Sequence, residues 1–360
     1  MNESKSTRYH RLVRRAGLLV AGAWVAALAG MLIARPDLSR PLYVLLVVSA
    51  AELLSLPAEF YRGHVLERRF GLSSQGGGYF ARQHAIAFVA RVSLLALAVE
   101  ALYFVVEWQP AAWWIPAAAL ASLVAALFSW LSPLVLPLFF KIKPIHRPSL
   151  AARLVALSAK ADVRALGVYE WAFGEKTTRA NAVLAGAGTM RRILVSDTML
   201  ADYSDEEIEV IVAHELGHHV HRDIPKSLAL EILLVFGGFG LAALVLDALW
   251  QPIGLAGASD IRGLPMLLLT LGGVFAASGP LINAVSRQNE RRADRYALTL
   301  TQRPEAFISA MRRLGAQNLV EENPSRAAVW LFHRHPPIEE RIAEARAYFT
   351  TSSPCMSLQR

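Results

Sequence analysis

Cysteine is nearly absent from this 360-residue chain. Cys355 is its single example, which excludes a disulfide within the chain and a metal site built from several thiolates. Charge is scarce too: Asp, Glu, Lys and Arg make up 18% of the residues, against about 25% in soluble domains. The net charge is +8, but Lys and Arg flank apolar runs and form no isolated basic domain, so a nucleic-acid partner is excluded. No apolar run looks like a repeat of another. The first ends in Ala34-Arg35-Pro36 without a small-x-small cleavage site, which argues against a cleaved signal peptide.

What is abundant is apolar sequence. The chain is 54% hydrophobic with mean hydropathy +0.35, as expected of a multi-span membrane protein with soluble parts. Runs at 16–34, 42–60, 84–106, 113–140, 227–250 and 264–285 are each long enough to cross, since about 20 residues span a bilayer core. Pro133 and Pro137 predict a bend at the end of the fourth. Lys5, Arg8, Arg11, Arg14 and Arg15 precede the first run, and Arg62, Arg68, Arg69 and Arg82 follow the second. The opposite loops carry only Arg35, Arg40 and Arg262. The positive-inside rule then puts the N-terminus, 141–226 and 286–360 in the cytoplasm. Four stretches result: a four-span region 1–140, an α/β part 141–226, a two-span hairpin 227–285 and a C-terminal part 286–360. Glu52, Arg91 and Glu100 fall within spans. They face a wet cavity, or Arg91 and Glu100 form a structural pair, or the residues near span ends snorkel to the interface.

Within 141–226 the pattern predicts a helix over 149–161 and strands over 166–172, 180–185 and 191–195, with a turn at Gly186-Ala187-Gly188. The hairpin 180–195 is either plainly structural or an open edge to which an extended peptide adds as a strand.

The most informative stretch is 204–221, S-D-E-E-I-E-V-I-V-A-H-E-L-G-H-H-V-H. Ser204 and Glu207 have capping-box spacing, and Asp205 and Glu206 suit the first helical turn. His214 and His218, four apart on one helix face, can grip one metal ion, and Glu215 beside them can serve as a base without binding it. That H-E-x-x-H pattern points to a zinc hydrolase with one Zn²⁺ per chain. A third ligand has to come from another direction. His221 shares a line with the first two histidines and cannot complete a tetrahedron. Glu290 follows the two-span hairpin, which goes out and returns to the same membrane face, so it is the preferred third ligand. Asp294, one turn further on, can bond a ligand histidine and fix its tautomer.

Several motifs occur in one order: L-P-A-E-F-Y-R-G-H-V-L-E-R-R-F-G at 56–71, S-P-L-V-L-P-L-F-F-K-I-K-P-I at 132–145, Asn181-Ala182, D-T-M-L at 197–200, H-E-L-G-H at 214–218, Glu290 to Asp294, and H-P-P-I-E-E-R-I at 335–342. This order resembles the integral-membrane zinc metallopeptidases typified by the type I CAAX prenyl proteases. The resemblance implies a mostly α fold, a multi-span helical barrel enclosing a chamber, with a small cytoplasmic α/β zinc peptidase domain of gluzincin type. It implies seven spans, where six are legible here. It also implies that Asn181 and Ala182 hold the substrate backbone and that His335 lies near the developing oxyanion. The sequence departs from the family at His219, at F-G-E-K-T-T-R-A before Asn181, and at Val183-Leu184 after Ala182. The expected function is zinc-dependent endopeptidase action on peptides or proteins, membrane-associated or lipidated, at the cytoplasmic face. The Ala- and Arg-rich composition suggests a bacterial inner membrane. The alternatives are a quality-control protease of the same clan and a non-catalytic zinc-binding membrane protein. A site-2-type intramembrane protease is disfavoured by the charged residues on both sides of H-E-x-x-H.

Overall fold

The computed structural model describes residues 4–139, 141–172, 174, 177–186 and 191–352. Cys355 and residues 187–188 of the expected turn lie outside the described residues. The N-terminal part is helical: α1 (Lys5–Ala34), α2 (Arg40–Phe60), α3 (Glu67–Arg69), α4 (Gly77–Trp108) and α5 (Trp114–Phe139). A π-helical turn, Tyr61–Leu66, joins α2 to α3. The second span thus stays helical beyond residue 60, where 61–83 reads as a loop. Arg62, Arg68 and Arg69 mark the end of the apolar stretch but do not break a helix. Likewise α5 persists through Pro133 and Pro137.

A small mixed sheet follows. It contains β1 (Ile142–Pro144), β2 (Val168–Trp171), β3 (Ala182–Ala185) and β4 (Arg192–Ser196), with α6 (Pro148–Lys160) between β1 and β2. The strand order is β1-β2-β4-β3. β2 and β4 run parallel, and β3 pairs antiparallel to β4 with Val183 opposite Leu194. β3 is therefore an edge strand. β1 is missing from the sequence reading because three residues ending in proline carry little strand pattern.

After α7 (Asp197–Asp202) come α8 (Asp205–Val220), α9 (Asp223–Leu249), α10 (Leu264–Thr301), α11 (Pro304–Gln317), α12 (Arg326–Phe332) and α13 (Ile338–Ser352). Among the described residues six helical stretches are long and apolar enough to cross a membrane: α1, Arg40–Arg69, α4, Trp114–Leu131, α9 and Ile261–Thr301. The protein is a multi-pass integral membrane protein.

Two larger cores organise the chain. One joins Leu150 and Leu154 of α6, Ile193 of β4, Ile208 and Leu216 of α8, Leu298 of α10 and Phe307 of α11. The other joins Tyr43 of α2, Tyr103 of α4, Leu246 of α9 and Leu264 of α10 between the membrane helices. A third, smaller cluster of Tyr9, Leu66, Phe70 and Leu72 lies where the membrane helices meet the sheet region. Here the Tyr9 hydroxyl donates to Glu67 Oε1 at 2.5 Å, and Arg179 Nη2 reaches the same oxygen at 2.8 Å. The start of α1, the end of the second span and the sheet region thus share one end of the molecule. At the other end Arg40 pairs with Glu100 and Glu107.

The ionisable residues within the spans pair between helices. Arg91 Nε donates to Glu52 Oε2 at 2.6 Å, and its Nη2 to Glu59 Oε2 at 3.1 Å. Arg91 and Glu100 do not pair with each other. Nine residues on one helix separate them by roughly 13 Å.

Candidate active site

The α8 helix is fixed at its start by the capping box: the Glu207 amide donates to Ser204 Oγ at 3.2 Å, and the Ser204 amide to Glu207 Oε2 at 2.8 Å. Its packing against α10 is close. A Cβ added at Gly217 would stand 3.0 Å from Ala293 Cα, so only glycine lets the two backbones approach this way. That approach brings two acids of α10 to two histidines of α8. Glu290 Oε2 lies 3.3 Å from His214 Nε2, and Glu290 Oε1 lies 3.4 Å from His218 Nε2. One donor atom from each of the three residues falls within 4.8 Å of the others.

The other ring nitrogens are already taken. His214 Nδ1 sits 2.8 Å from Asp294 Oδ1, and His218 Nδ1 sits 2.9 Å from Asp223 Oδ2. Both carboxylates are held in turn by arginines. Arg341 makes a fork on Asp294, at 2.7 Å and 2.5 Å, and Arg292 Nη2 donates to Asp223 Oδ1 at 3.0 Å. With Nδ1–H donated, each Nε2 turns a lone pair inward. The two Nε2 atoms are 3.1 Å apart. Glu290 Oε2 is buried and accepts no aligned hydrogen bond, although His335 Nδ1 is 2.9 Å away. Lone pairs and a carboxylate converging on one point repel one another unless a proton or a metal cation lies between them. Two imidazoles and a carboxylate are a donor set that suits zinc.

The electrostatics agree. Burial would lower the His214 imidazole, but Asp294 and Glu290 outweigh it and push it up to about 10. Burial also works against a charged His218, and Glu290 overrides it and raises that group. The site therefore attracts positive charge. Glu215, next to His214, has its carboxyl raised by burial, with the two histidines opposing the rise. A raised carboxyl is suited to taking up and returning a proton.

The remaining sequence candidates lie around this cluster. Asn181 and Ala182, at the start of β3, line a cavity of about 790 Å³ together with His214, Glu215, Glu290 and His335. Asn181 is exposed and Ala182 is buried. The His335 side chain is 67% exposed. His221 points elsewhere: it ends α8, its Nδ1 lies 2.7 Å from the Gly217 carbonyl, and its ring packs edge-on to Tyr296. Sequence reasoning missed Asp223 and Arg341. Arg341 lies inside the quoted H-P-P-I-E-E-R-I motif. Asp223 follows His218 by five residues, across a chain reversal at Arg222, which is left-handed with φ 55°.

Histidines four apart with a carboxylate from a second helix, in a chain that crosses a membrane several times, define a membrane metallopeptidase. The chain belongs to peptidase family M48, whose description matches residues 144–349. Residues 12–141 match the CAAX prenyl protease N-terminal region, described as five membrane helices. Four of the six candidate spans begin before residue 141, one fewer than that description. The chain is similar to the metalloprotease YhfN of Bacillus subtilis, at 29% identity over 312 residues, 84% of this chain and 72% of that protein. It is also similar to the CAAX prenyl protease 1 homologue of Oryza sativa, at 26% identity over 302 residues, 81% and 70% of the two chains. A Protease HtpX homologue of Thermoanaerobacter pseudethanolicus is 29% identical but aligns with only 43% of this chain and 58% of its own. Among solved structures, S. mikatae Ste24p has the same fold, with a TM-score of 0.81 over 95% of this chain and 88% of that one, at 18% identity.

Proposed function

We propose that the protein is a zinc endopeptidase that cleaves peptide bonds at the cytoplasmic face of the membrane, with His214, His218 and Glu290 holding one Zn²⁺. The observation that carries this reading is the convergence of these three donors beside Glu215, where two adjoining pockets share Glu215 and Glu290. When bound, zinc supplies Lewis-acid chemistry, polarising a carbonyl and lowering the pKa of water toward ~7. The chain's residues do the rest. Glu215 accepts a proton from the attacking water and hands it to the leaving amine. His335 faces the cavity and can donate to the developing oxyanion. Asp294 fixes the His214 tautomer by accepting from Nδ1. The β3 edge offers main-chain hydrogen bonds to an extended substrate, with Asn181 holding its backbone. In this reading 1–140 and 227–285 house the substrate, and 141–226 and 286–360 carry the chemistry.

Similarity to CAAX prenyl protease 1 homologues extends through the N-terminal helices, which supports lipidated, membrane-associated peptides as the substrate class. The inner membrane of a bacterium is the proposed location. The test uses purified full-length protein and matched peptides with and without a prenyl group. Wild type should hold one zinc and cleave them, favouring the prenylated peptide, whereas Glu215→Gln should keep zinc and lose on the order of 10²-fold in kcat. Near-normal turnover in Glu215→Gln would overturn the base assignment. Equal rates on both peptides would overturn the lipidated class alone. Reporter fusions after residues 145 and 225 should read cytoplasmic, and an external reading at 225 would reverse the orientation.

A further inference from the structure

The cleft has two lobes that meet at Glu215 and Glu290, and both residues line each lobe. The larger lobe holds Asn181 and Ala182, at the start of β3. The smaller, about 380 Å³, holds Val183 and Leu184, further along the same strand. A peptide extended beside β3 would therefore lie with one half in each lobe.

The lobes differ in uncommitted charge. In the larger, Arg14, Arg179 and Arg341 are paired with Glu321, Glu67 and Asp294, and the exposed Arg334 has no ion pair among the described residues. In the smaller, Asp223 is committed to His218 and Arg292. Glu231 is exposed in that lobe and has no ion pair or hydrogen bond among the described residues. It lies on the α9 face that also carries Asp223 and Ser227, each four residues apart. Ser227, Ser286 and Asn289 give this lobe polar groups but no cation. A lone carboxylate on a helix that crosses a membrane is costly without a counter-charge, and here it faces the cleft.

Resting on the peptidase reading above, we propose that Glu231 selects substrates carrying a lysine or arginine on the Val183–Leu184 side of the scissile bond. The position follows from geometry. Eight residues of helix put Glu231 roughly 12 Å beyond Asp223, which bonds His218. A strand rises about 3.3 Å per residue, so the basic residue belongs within about four positions of the cleaved bond.

The test uses the zinc-loaded full-length protein and a peptide series in which Lys or Glu is moved through four positions on each side of the cleavage site. Wild type should prefer Lys over Glu by about 10-fold in kcat/KM, mostly through KM, at positions on one side only. In Glu231→Gln, with zinc content checked, the ratio should collapse toward one, and in Glu231→Lys it should invert. Peptide binding to Glu215→Gln, alone and combined with Glu231→Lys, should show the same reversal in Kd. A Lys preference that survives Glu231→Gln, or cleavage with no one-sided charge preference, overturns the assignment of Glu231. If zinc-loaded wild type cleaves no peptide of the series, the peptidase reading falls and the inference falls with it.

Discussion

Two chains of the same chemical type, histidine to carboxylate to arginine, start and end at the wall of the larger lobe of the cleft. One runs His214–Asp294–Arg341 and the other His333–Glu321–Arg14. Both end in a two-point arginine grip, and both carboxylates are buried. Their histidines respond in opposite directions. His214 rises to about 10, whereas burial lowers His333 below its usual range despite Glu321, with Arg14 and Arg287 adding to the lowering. The difference is the second acid. Glu290 faces the far nitrogen of His214, and His333 has no such partner among the described residues. The first chain prepares a place for a cation. The second is a tie that fastens α1 to the loop leading to His335.

The largest test of this contrast removes one acid from each side. Glu290→Ala should abolish peptide cleavage and weaken zinc binding by several orders of magnitude, because two imidazoles alone leave the metal short of a protein ligand. Glu321→Ala should retain zinc and lose thermal stability, since Arg14 and His333 are left without their acceptor. Zinc titration of both purified variants measures this. Zinc loss in Glu321→Ala with retention in Glu290→Ala would exchange the two roles.

Next in size is the support behind the first histidine. Asp294→Ala should cost roughly 10- to 100-fold in zinc affinity, as the loss of a ligand's hydrogen-bond acceptor usually does. Arg341 would then face Glu290 at 3.7 Å with its main partner gone, so Arg341→Ala should weaken the site less than Asp294→Ala. A larger loss in Arg341→Ala would mean that the guanidinium acts on the metal site directly rather than through Asp294.

The close approach of α8 and α10 gives a smaller effect. Gly217→Ala puts a methyl 3.0 Å from the Ala293 backbone, which cannot swing aside like a flexible side chain. About 1–3 kcal/mol of stability should be lost, with weaker zinc binding as Glu290 is displaced. Unchanged Tm and unchanged zinc affinity would show that α10 yields freely.

How legible these features are in the sequence depends on how local their causes are. The capping box at Ser204 and Glu207 and the histidines four apart are set within one helix, and both are readable directly. Glu290 is far along the chain, yet a bilayer obliges a two-span hairpin to return, and that constraint makes its arrival beside α8 foreseeable. Arg341 and Glu321 have no such constraint. Their pairings with Asp294 and Arg14 depend on how α13 and the loop after α11 settle against α10 and α1, which no periodicity encodes. Asp223 is an intermediate case. It is near His218 in sequence, but its return to the histidine needs the reversal at Arg222, a left-handed residue that is not glycine. The division of the apolar sequence into six spans is equally local, whereas their ends are not: the second span and α10 stay helical past the charges that end their apolar runs.

The smallest effect tests the second chain by pH. His333 has its pKa lowered in the folded protein, first by burial, so it stays neutral where an unfolded chain would already be protonated. A depressed group contributes stability that is complete above its unfolded value of about 6.5 and is lost as pH falls through the folded value. Release of metal from the proposed zinc site would also lower stability over that range, so the raw pH profile mixes two causes. His333→Asn removes the titrating ring while leaving all three proposed ligands in place, and the zinc contribution cancels in the difference. Between about pH 7.5 and 5.5 the Tm of wild type should fall further than that of the variant, by about one or two degrees for a single proton taken up. His10, whose ring lies 6.4 Å from that of His333, is lowered in part by it, so both proteins are compared in a His10→Asn background. Parallel profiles would show that His333 is not depressed. A steeper fall in His333→Asn would mean that folding raises the pKa of its ring instead of lowering it, and the contrast between the two chains would collapse.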